Sequence, residues 1–444
     1  METPIADFVR RYRESGSIRF HMPGHKGIPY LGCESLDITE IAGADTLYEA
    51  GGIIRESERC ATALFGFGQT LYSAGGSSQC IKAMLYLIML YQAERNRRSR
   101  YVLAARNAHV SFIHACALLD LLPEWIYPGD EGVVLPGAVG DMISRMPERP
   151  LAVYLTAPDY FGRSPDIGKI AAVCDRYDVP LLVDNAHGAY LKFLPKSRHP
   201  VDLGAFMSAD SAHKTLPVLT GGAYLQLSKK VPEQIIAAAK GALALFGSTS
   251  PSYLILQSLD LCNRYLADGY GERLADFIGE VENTKARLES MGWRVTPSDP
   301  LRIVIDTAPS GYTGAGVAAR LREQGIEPEF TGPYEVVLMV TPENTSGELD
   351  RLCSAMARLP RLTPIKRSKP DFPHNRRVMS PREAFLVPRE RIPAGSAAGR
   401  VCASPVILCP PAVPVAVSGE LMDEVCVALF EEYGIRAVEA VMCG

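Results

Sequence analysis

Lys214 stands in Ser211-Ala-His-Lys-Thr-Leu-Pro217, thirty positions after Asp184 in Asp184-Asn-Ala-His-Gly-Ala189. The two segments supply an amine, a carboxylate and two imidazoles, His187 and His213, within a short stretch of chain. A lysine amine forms a Schiff base with an aldehyde, and a carboxylate ending an apolar strand holds a pyridine nitrogen protonated, so that the ring withdraws electrons. The combination points to pyridoxal 5'-phosphate as cofactor, with Lys214 and Asp184 as its chemical partners. Most lysines are solvated surface residues, so the setting carries the argument. Thr215, Leu216 and Pro217 follow, and Gly221-Gly222 leads into the apolar Ala223–Leu227, a tight loop in which partial desolvation keeps free amine available.

A phosphate needs its own cradle. Ser73-Ala-Gly-Gly-Ser-Ser-Gln-Cys80 lies between a predicted strand and a predicted helix, so backbone amides around Gly76 and the hydroxyls of Ser77 and Ser78 can converge on an anion at a positive helix end. Alone, such a turn is an ordinary helix start. His109 follows the next strand and is either a helix-start histidine or an aromatic partner for the cofactor ring. No Cys or His spacing suits a metal.

The elements that must position these residues alternate. Short apolar runs at Tyr101–Ala105, Leu151–Leu155, Pro180–Asp184 and Leu203–Met207 read as strands buried on both faces, and helical segments such as Ile167–Tyr177 separate some of them. This is the pattern of an α/β fold with a mostly parallel sheet, whose ligand sits at the carboxyl ends of the strands. The expected organisation is an N-terminal arm over 1–60, a cofactor-binding large domain over 61–265, a smaller α/β subdomain over 266–365 and a C-terminal unit over 366–444. A long helical connector is expected over Pro251–Met291.

The chain of 444 residues is 47% apolar with a net charge of −4, enough for a large core and without the basic field that nucleic acid or an anionic membrane would require. The longest apolar stretch, Ala83–Tyr91, is too short to span a bilayer, and the first residues lack the layout of a secretory signal, so a cytoplasmic location is expected. Eleven cysteines without C-x-x-C pairs suggest reduced, mostly buried thiols.

With His21-Met-Pro-Gly-His-Lys-Gly27 and Ser248-Thr-Ser-Pro-Ser-Tyr253 added to the two segments above, the sequence resembles the ornithine/lysine/arginine decarboxylase family of fold-type I pyridoxal-phosphate enzymes, in its shorter bacterial form. The resemblance runs through nearly the whole chain. It implies Lys214 as the imine lysine, Asp184 facing the pyridine nitrogen and His109 stacked on the ring; His187 is read as an active-site residue from its place three residues after Asp184, against the alternative of a polar loop residue. It further implies Ser77, Ser78, Ser211 and His213 around the phosphate, with Ser248, Thr249 and Ser250 reaching the phosphate of a neighbouring subunit in a homodimer or an oligomer built from it. His21 and His25 would lie near the entrance. The implied activity is α-decarboxylation of arginine, lysine or ornithine to the amine, as in polyamine biosynthesis. An aminotransferase of the same fold is the alternative, and a non-catalytic regulatory homologue a third reading. Two departures bear on substrate choice: Asp159 in Thr156-Ala-Pro-Asp-Tyr-Phe-Gly162, where a threonine is expected, and Cys409-Pro-Pro-Ala412, where an aromatic would stand at Cys409 and a glycine at Ala412. Asp159 is a candidate partner for a basic substrate side chain, against the alternative of an ordinary loop acid.

Overall fold

The computed structural model describes residues 1–129, 132–367, 373–409 and 413–442. They form two compact units, each assembled from separate stretches of chain: the first from 1–104, 134–157 and 166–271, the second from 105–133, 158–165 and 272–444.

In the first unit the strands follow the sheet order Gln69–Ser73, Ala223–Leu227, Met207–Asp210, Leu181–Asp184, Ala152–Thr156 and Tyr101–Ala105. The last four pair in parallel, while Ala223–Leu227 runs antiparallel to both of its neighbours. Strands Leu181–Asp184, Met207–Asp210 and Ala223–Leu227 are buried at every position, as continuous apolar runs between two helical layers should be. One expected strand is displaced. Gly204, at φ +110°, puts Leu203–Ala205 into turns, and the strand begins only at Met207. It runs on through Ser208 and Asp210, two polar residues whose partners let them lie fully buried.

The long helix Gly76–Glu94 buries Ala83, Met84, Leu85, Leu87 and Ile88. The expected helical connector is two helices, Tyr253–Ala267 and Tyr270–Ser290, separated by Gly269 at φ +66°. The N-terminal helix Pro4–Glu14 has no capping bond from Thr3. Its first turn is capped from outside: the Ala6 amide donates to Oδ2 of Asp260 at 2.9 Å, and Asp260 Oδ1 accepts from Ser57 Oγ at 2.5 Å.

The second unit contains an antiparallel sheet in the order Phe330–Thr331, Glu335–Met339, Arg302–Asp306 and Arg294–Thr296, with helices Gly314–Glu323 and Ser346–Ala357. A further cluster packs Ile392, Cys402, Val415, Met422, Phe430 and Val438 beneath the helix Glu424–Glu432 and two strand pairs. Within this unit Arg106 and Glu420 form a buried, bidentate ion pair, with Nη2 to Oε2 at 2.8 Å. Trp125 Nε1 at 2.8 Å, Asn375 Nδ2 at 3.2 Å and the Val417 amide at 3.0 Å also donate to Glu420, and Arg106 donates to the carbonyls of Pro414 and Val415. Among the described residues no helix is long and apolar enough to cross a membrane. Pro410, Pro411 and Ala412 lie outside the described residues.

Candidate active site

Asp184 is the last residue of its strand and is almost fully buried. Its Oδ1 accepts the Ala186 amide at 3.2 Å, and its Oδ2 accepts the phenol of Tyr154, from the neighbouring parallel strand, at 3.3 Å. The chain then turns sharply, Gly188 N donating to Asn185 O, which carries His187 over the strand end. Lys214 arrives from the next strand. Met207–Asp210 ends in a single tight turn, Ala212–Lys214, and the lysine Nζ lies 2.9 Å from Nε2 of His187. An acid, an imidazole and an amine thus meet at the carboxyl ends of two adjacent parallel strands.

The glycine turn is held beside them. Gly76 N donates to Gly221 O at 2.8 Å, and His213 N donates to Gly222 O at 3.2 Å, so the Gly221-Gly222 turn links the glycine turn to the lysine turn. A side chain on Gly222 would collide with Val218, which is why the pair must stay small. Gly76 itself has φ +71° and open space where a Cβ would stand, immediately before Ser77 and Ser78 in a 19-residue helix without a side-chain cap. Gln79 fixes the turn from behind, its Oε1 accepting from Ser73 Oγ at 2.6 Å and from the Gly75 amide at 3.1 Å. The hydroxyls of Thr156 and Thr215 are buried without a partner among the described residues. A helix start without a side-chain cap, an open glycine cradle and two buried hydroxyls fit a phosphate-bearing cofactor anchored on Lys214. Burial, and next the charge of Lys214, hold the His213 imidazole below its ordinary pKa of 6.5.

Asp184, His187 and Lys214 come together, with Gly76, Ser77, Ser78, Ser211 and His213 in the same unit. Ser211 is buried as the residue preceding the lysine turn. Ser248, Thr249 and Ser250 are exposed, the Ser250 amide donating to Ser248 Oγ. His21 bonds the Tyr12 hydroxyl at 2.6 Å, and His25 bonds Asp37 at 3.2 Å, both among residues of the N-terminal segment. His109 and Asp159 belong to the second unit. His109 is exposed and caps the helix Val110–Leu119 through the Ser111 amide. Asp159 is buried and accepts the amides of Phe161 at 2.9 Å and Arg163 at 2.8 Å together with Arg163 Nε at 2.8 Å, so its lone pairs serve its own loop.

Reading the sequence missed Tyr154, Gln79 and a buried group formed by Asn185, His199, Asp210 and Gln226. The one available signal was polarity in the wrong place: Asp210 and Gln226 interrupt segments that otherwise belong to a sheet interior.

Comparison with known proteins places the chain in a family. The family described as Orn/Lys/Arg decarboxylase, major domain, matches residues 3–309. An arginine decarboxylase of Halalkalibacterium halodurans is 29% identical, the alignment covering 97% of this chain and 93% of that protein. An arginine decarboxylase of Bacillus subtilis is 28% identical over 95% of this chain and 92% of its own. Among solved structures, the Francisella novicida lysine decarboxylase LdcF has a TM-score of 0.81 at 17% identity, covering 99% of this chain and 81% of that one. A structure described as SPT with PLP shares the fold at a TM-score of 0.55 and 15% identity, over 68% of this chain and 75% of that one. A lysine held against an imidazole beside a buried aspartate, in a chain matched to this family along more than half its length, leads to one conclusion: the protein belongs to the Orn/Lys/Arg decarboxylase family and is a carboxy-lyase of amino acids.

Proposed function

We propose that the protein is a pyridoxal-phosphate-dependent α-decarboxylase of a basic L-amino acid, with arginine ahead of lysine and ornithine, forming the amine as in polyamine biosynthesis. The observation that carries the reading is Lys214 Nζ at 2.9 Å from His187 Nε2, beside the strand that ends in buried Asp184. The arginine decarboxylases similar over nearly their full length support the order of substrates.

Pyridoxal phosphate, when bound, supplies an electron sink for the pair released with carbon dioxide. The chain's own residues make that sink effective. Lys214 anchors the cofactor and is positioned by His187, which exchanges a hydrogen bond with its amine. Asp184, oriented by Tyr154 and by the Ala186 amide, would hold the proton of the pyridine nitrogen. The amides after Gly76, with Ser77, Ser78, Ser211 and His213, would take the phosphate, and His109 is proposed as the residue that would cover the ring. Asp159, His21 and His25 are proposed toward the substrate side.

The reading extends to a cytoplasmic homodimer with shared sites. Ile18, Phe20, Tyr30 and Leu31 are each more than three-quarters exposed within one short N-terminal segment, a concentration of apolar surface suited to a second copy. The exposed Ser248–Ser250 run would then complete the partner's phosphate site.

Carbon dioxide release from arginine, lysine and ornithine by the purified protein tests the reaction, and borohydride fixation followed by peptide mapping tests the anchor. Release from at least one substrate, lost in Lys214→Ala, is expected. Keto acids without carbon dioxide would move the assignment to an aminotransferase, and a fixed cofactor on another lysine would overturn the site.

A further inference from the structure

The proposed chemistry uses Asp184, His187 and Lys214 and leaves a second buried acid unexplained. Asp210 ends the strand Met207–Asp210 with no exposed surface, and four side chains bond its carboxylate. Ser208 Oγ at 3.0 Å and Asn185 Nδ2 at 2.9 Å donate to Oδ1, while Gln226 Nε2 at 3.1 Å and His199 Nε2 at 2.9 Å meet Oδ2. The Val201 amide donates to His199 Nδ1 at 3.2 Å, so Nδ1 is the acceptor and Nε2 carries the proton given to Asp210. His199 is itself fully buried, its ring 4.8 Å from that of Phe67.

Stability is a weak reason for such a cluster, because well-packed apolar residues commonly serve as well as a buried charge with its partners. Its connections give a better one. Asn185 is the chain neighbour of Asp184, and besides its side-chain bond to Asp210 its backbone amide donates to Ala209 O at 2.9 Å. On the other side Asp210 leads directly into Ser211, whose carbonyl accepts the Lys214 amide at 3.1 Å. The root of the loop bearing Asp184 and His187 is therefore fastened to the root of the turn bearing Lys214. The Asn185–Asp210 bond closes this circuit at its base, as the His187–Lys214 bond closes it at the top.

We infer that Asp210, held by His199, is a positioning residue that sets the aim of Asp184 and the distance from His187 to Lys214 through Asn185. The inference rests on the reading of Lys214 as the reactive amine. It assigns a role in the reaction to three residues, Asn185, His199 and Asp210, outside the set proposed to hold cofactor and substrate.

Asn185→Ala removes the tie while leaving Asp210 three donors, and Asp210→Asn removes the charge at nearly constant volume and stands in should the first variant fail to fold. Two readouts are taken: steady-state kinetics of the loaded enzyme, and the pH at which Lys214 is half-reactive toward an amine-acylating reagent in cofactor-free protein, followed by peptide mass. The expected result is a kcat lower by about tenfold or more with KM within about twofold. The half-reactive pH of Lys214 should move by about half a unit or more, because its imidazole neighbour is no longer held in place. A variant that melts earlier yet keeps both the wild-type kcat and the wild-type Lys214 profile would overturn the inference as a purely structural effect. Failure of the site reading looks different: borohydride then fixes cofactor of the wild-type enzyme on another lysine, which overturns both.

Discussion

Asp260 should make the docking of the N-terminal helix depend on pH. Its carboxyl has no exposed surface, and burial pushes its pKa up from 3.8 to about 6 against the opposing hydrogen bonds from Ser57 and the first-turn amides. The protonated form is therefore favoured by folding. Its stabilisation is complete below the unfolded value near 3.8 and is lost as the pH rises through the folded value near 6. At 1.36 kcal/mol for each pH unit, the charged form costs the folded protein about 3 kcal/mol at neutral pH. Asp260→Asn removes the titration and keeps a group that can accept from Ala6 and bond Ser57, whose hydroxyl either donates to or accepts from Tyr72. The difference in unfolding free energy, variant minus wild type, should grow by about 2.4 kcal/mol between pH 4 and pH 7, the first part of the titration lying below pH 4. Parallel urea titrations of the two proteins at each pH measure it, since all other titrations cancel in the difference. Hydrogen exchange across Pro4–Glu14 should show the wild-type helix opening more readily at the upper end of that range. A difference that is flat with pH, or that shrinks as pH rises, refutes the reasoning.

Three further outcomes are expected. Asp184→Ala should leave a folded protein whose decarboxylation is slower by about 100-fold or more, and activity near wild type would remove Asp184 from the chemistry. Glu420→Ala strands the buried Arg106 guanidinium on two carbonyls and should cost about 3–5 kcal/mol in the urea transition that includes the second unit, with Arg106→Met in the same chain restoring much of it; a loss under about 1 kcal/mol would contradict the pairing. Mixing Lys214→Ala with a Ser248/Thr249/Ser250 triple-alanine protein should recover about one quarter of wild-type activity, because half the randomly mixed dimers are mixed and each of these holds one intact site. No recovery despite demonstrated subunit exchange would count against sharing.

Asp184 stands out in the sequence as an acid ending an apolar strand, and Lys214 as an amine in a loop closed by Thr215-Leu-Pro217 and the Gly221-Gly222 turn, contrasts that local sequence displays. The parallel sheet was legible for the same reason, since strands buried on both faces are continuous in hydrophobicity. Met207–Asp210 was placed too early because burial there is sustained by hydrogen bonds to Ser208 and Asp210, and hydropathy does not register a satisfied polar group. His199 and Gln226 reach Asp210 across 11 and 16 residues, and no periodicity encodes such a meeting. Asp159 had two readings in the sequence, a partner for a basic substrate side chain and an ordinary loop acid. Its amide and guanidinium partners, within four residues of it, show a loop-building role that adjacency alone did not reveal.

The interleaving of the two units limits how this protein can be divided. Residues 105–133 and 158–165 leave the first unit to join a body formed mainly by 272–444. A fragment ending at 309, where the family match stops, would retain those two excursions but lose most of what they fold against. Arg106 would then be a cation with neither Glu420 nor the carbonyls of Pro414 and Val415, three residues upstream of His109. A boundary drawn by sequence similarity is here no boundary for folding, so neither gene truncation nor exchange of C-terminal halves between relatives should yield an independent module. Synthesis of the chain poses the same difficulty: Arg106 must wait for its carboxylate partner until nearly the whole protein has left the ribosome.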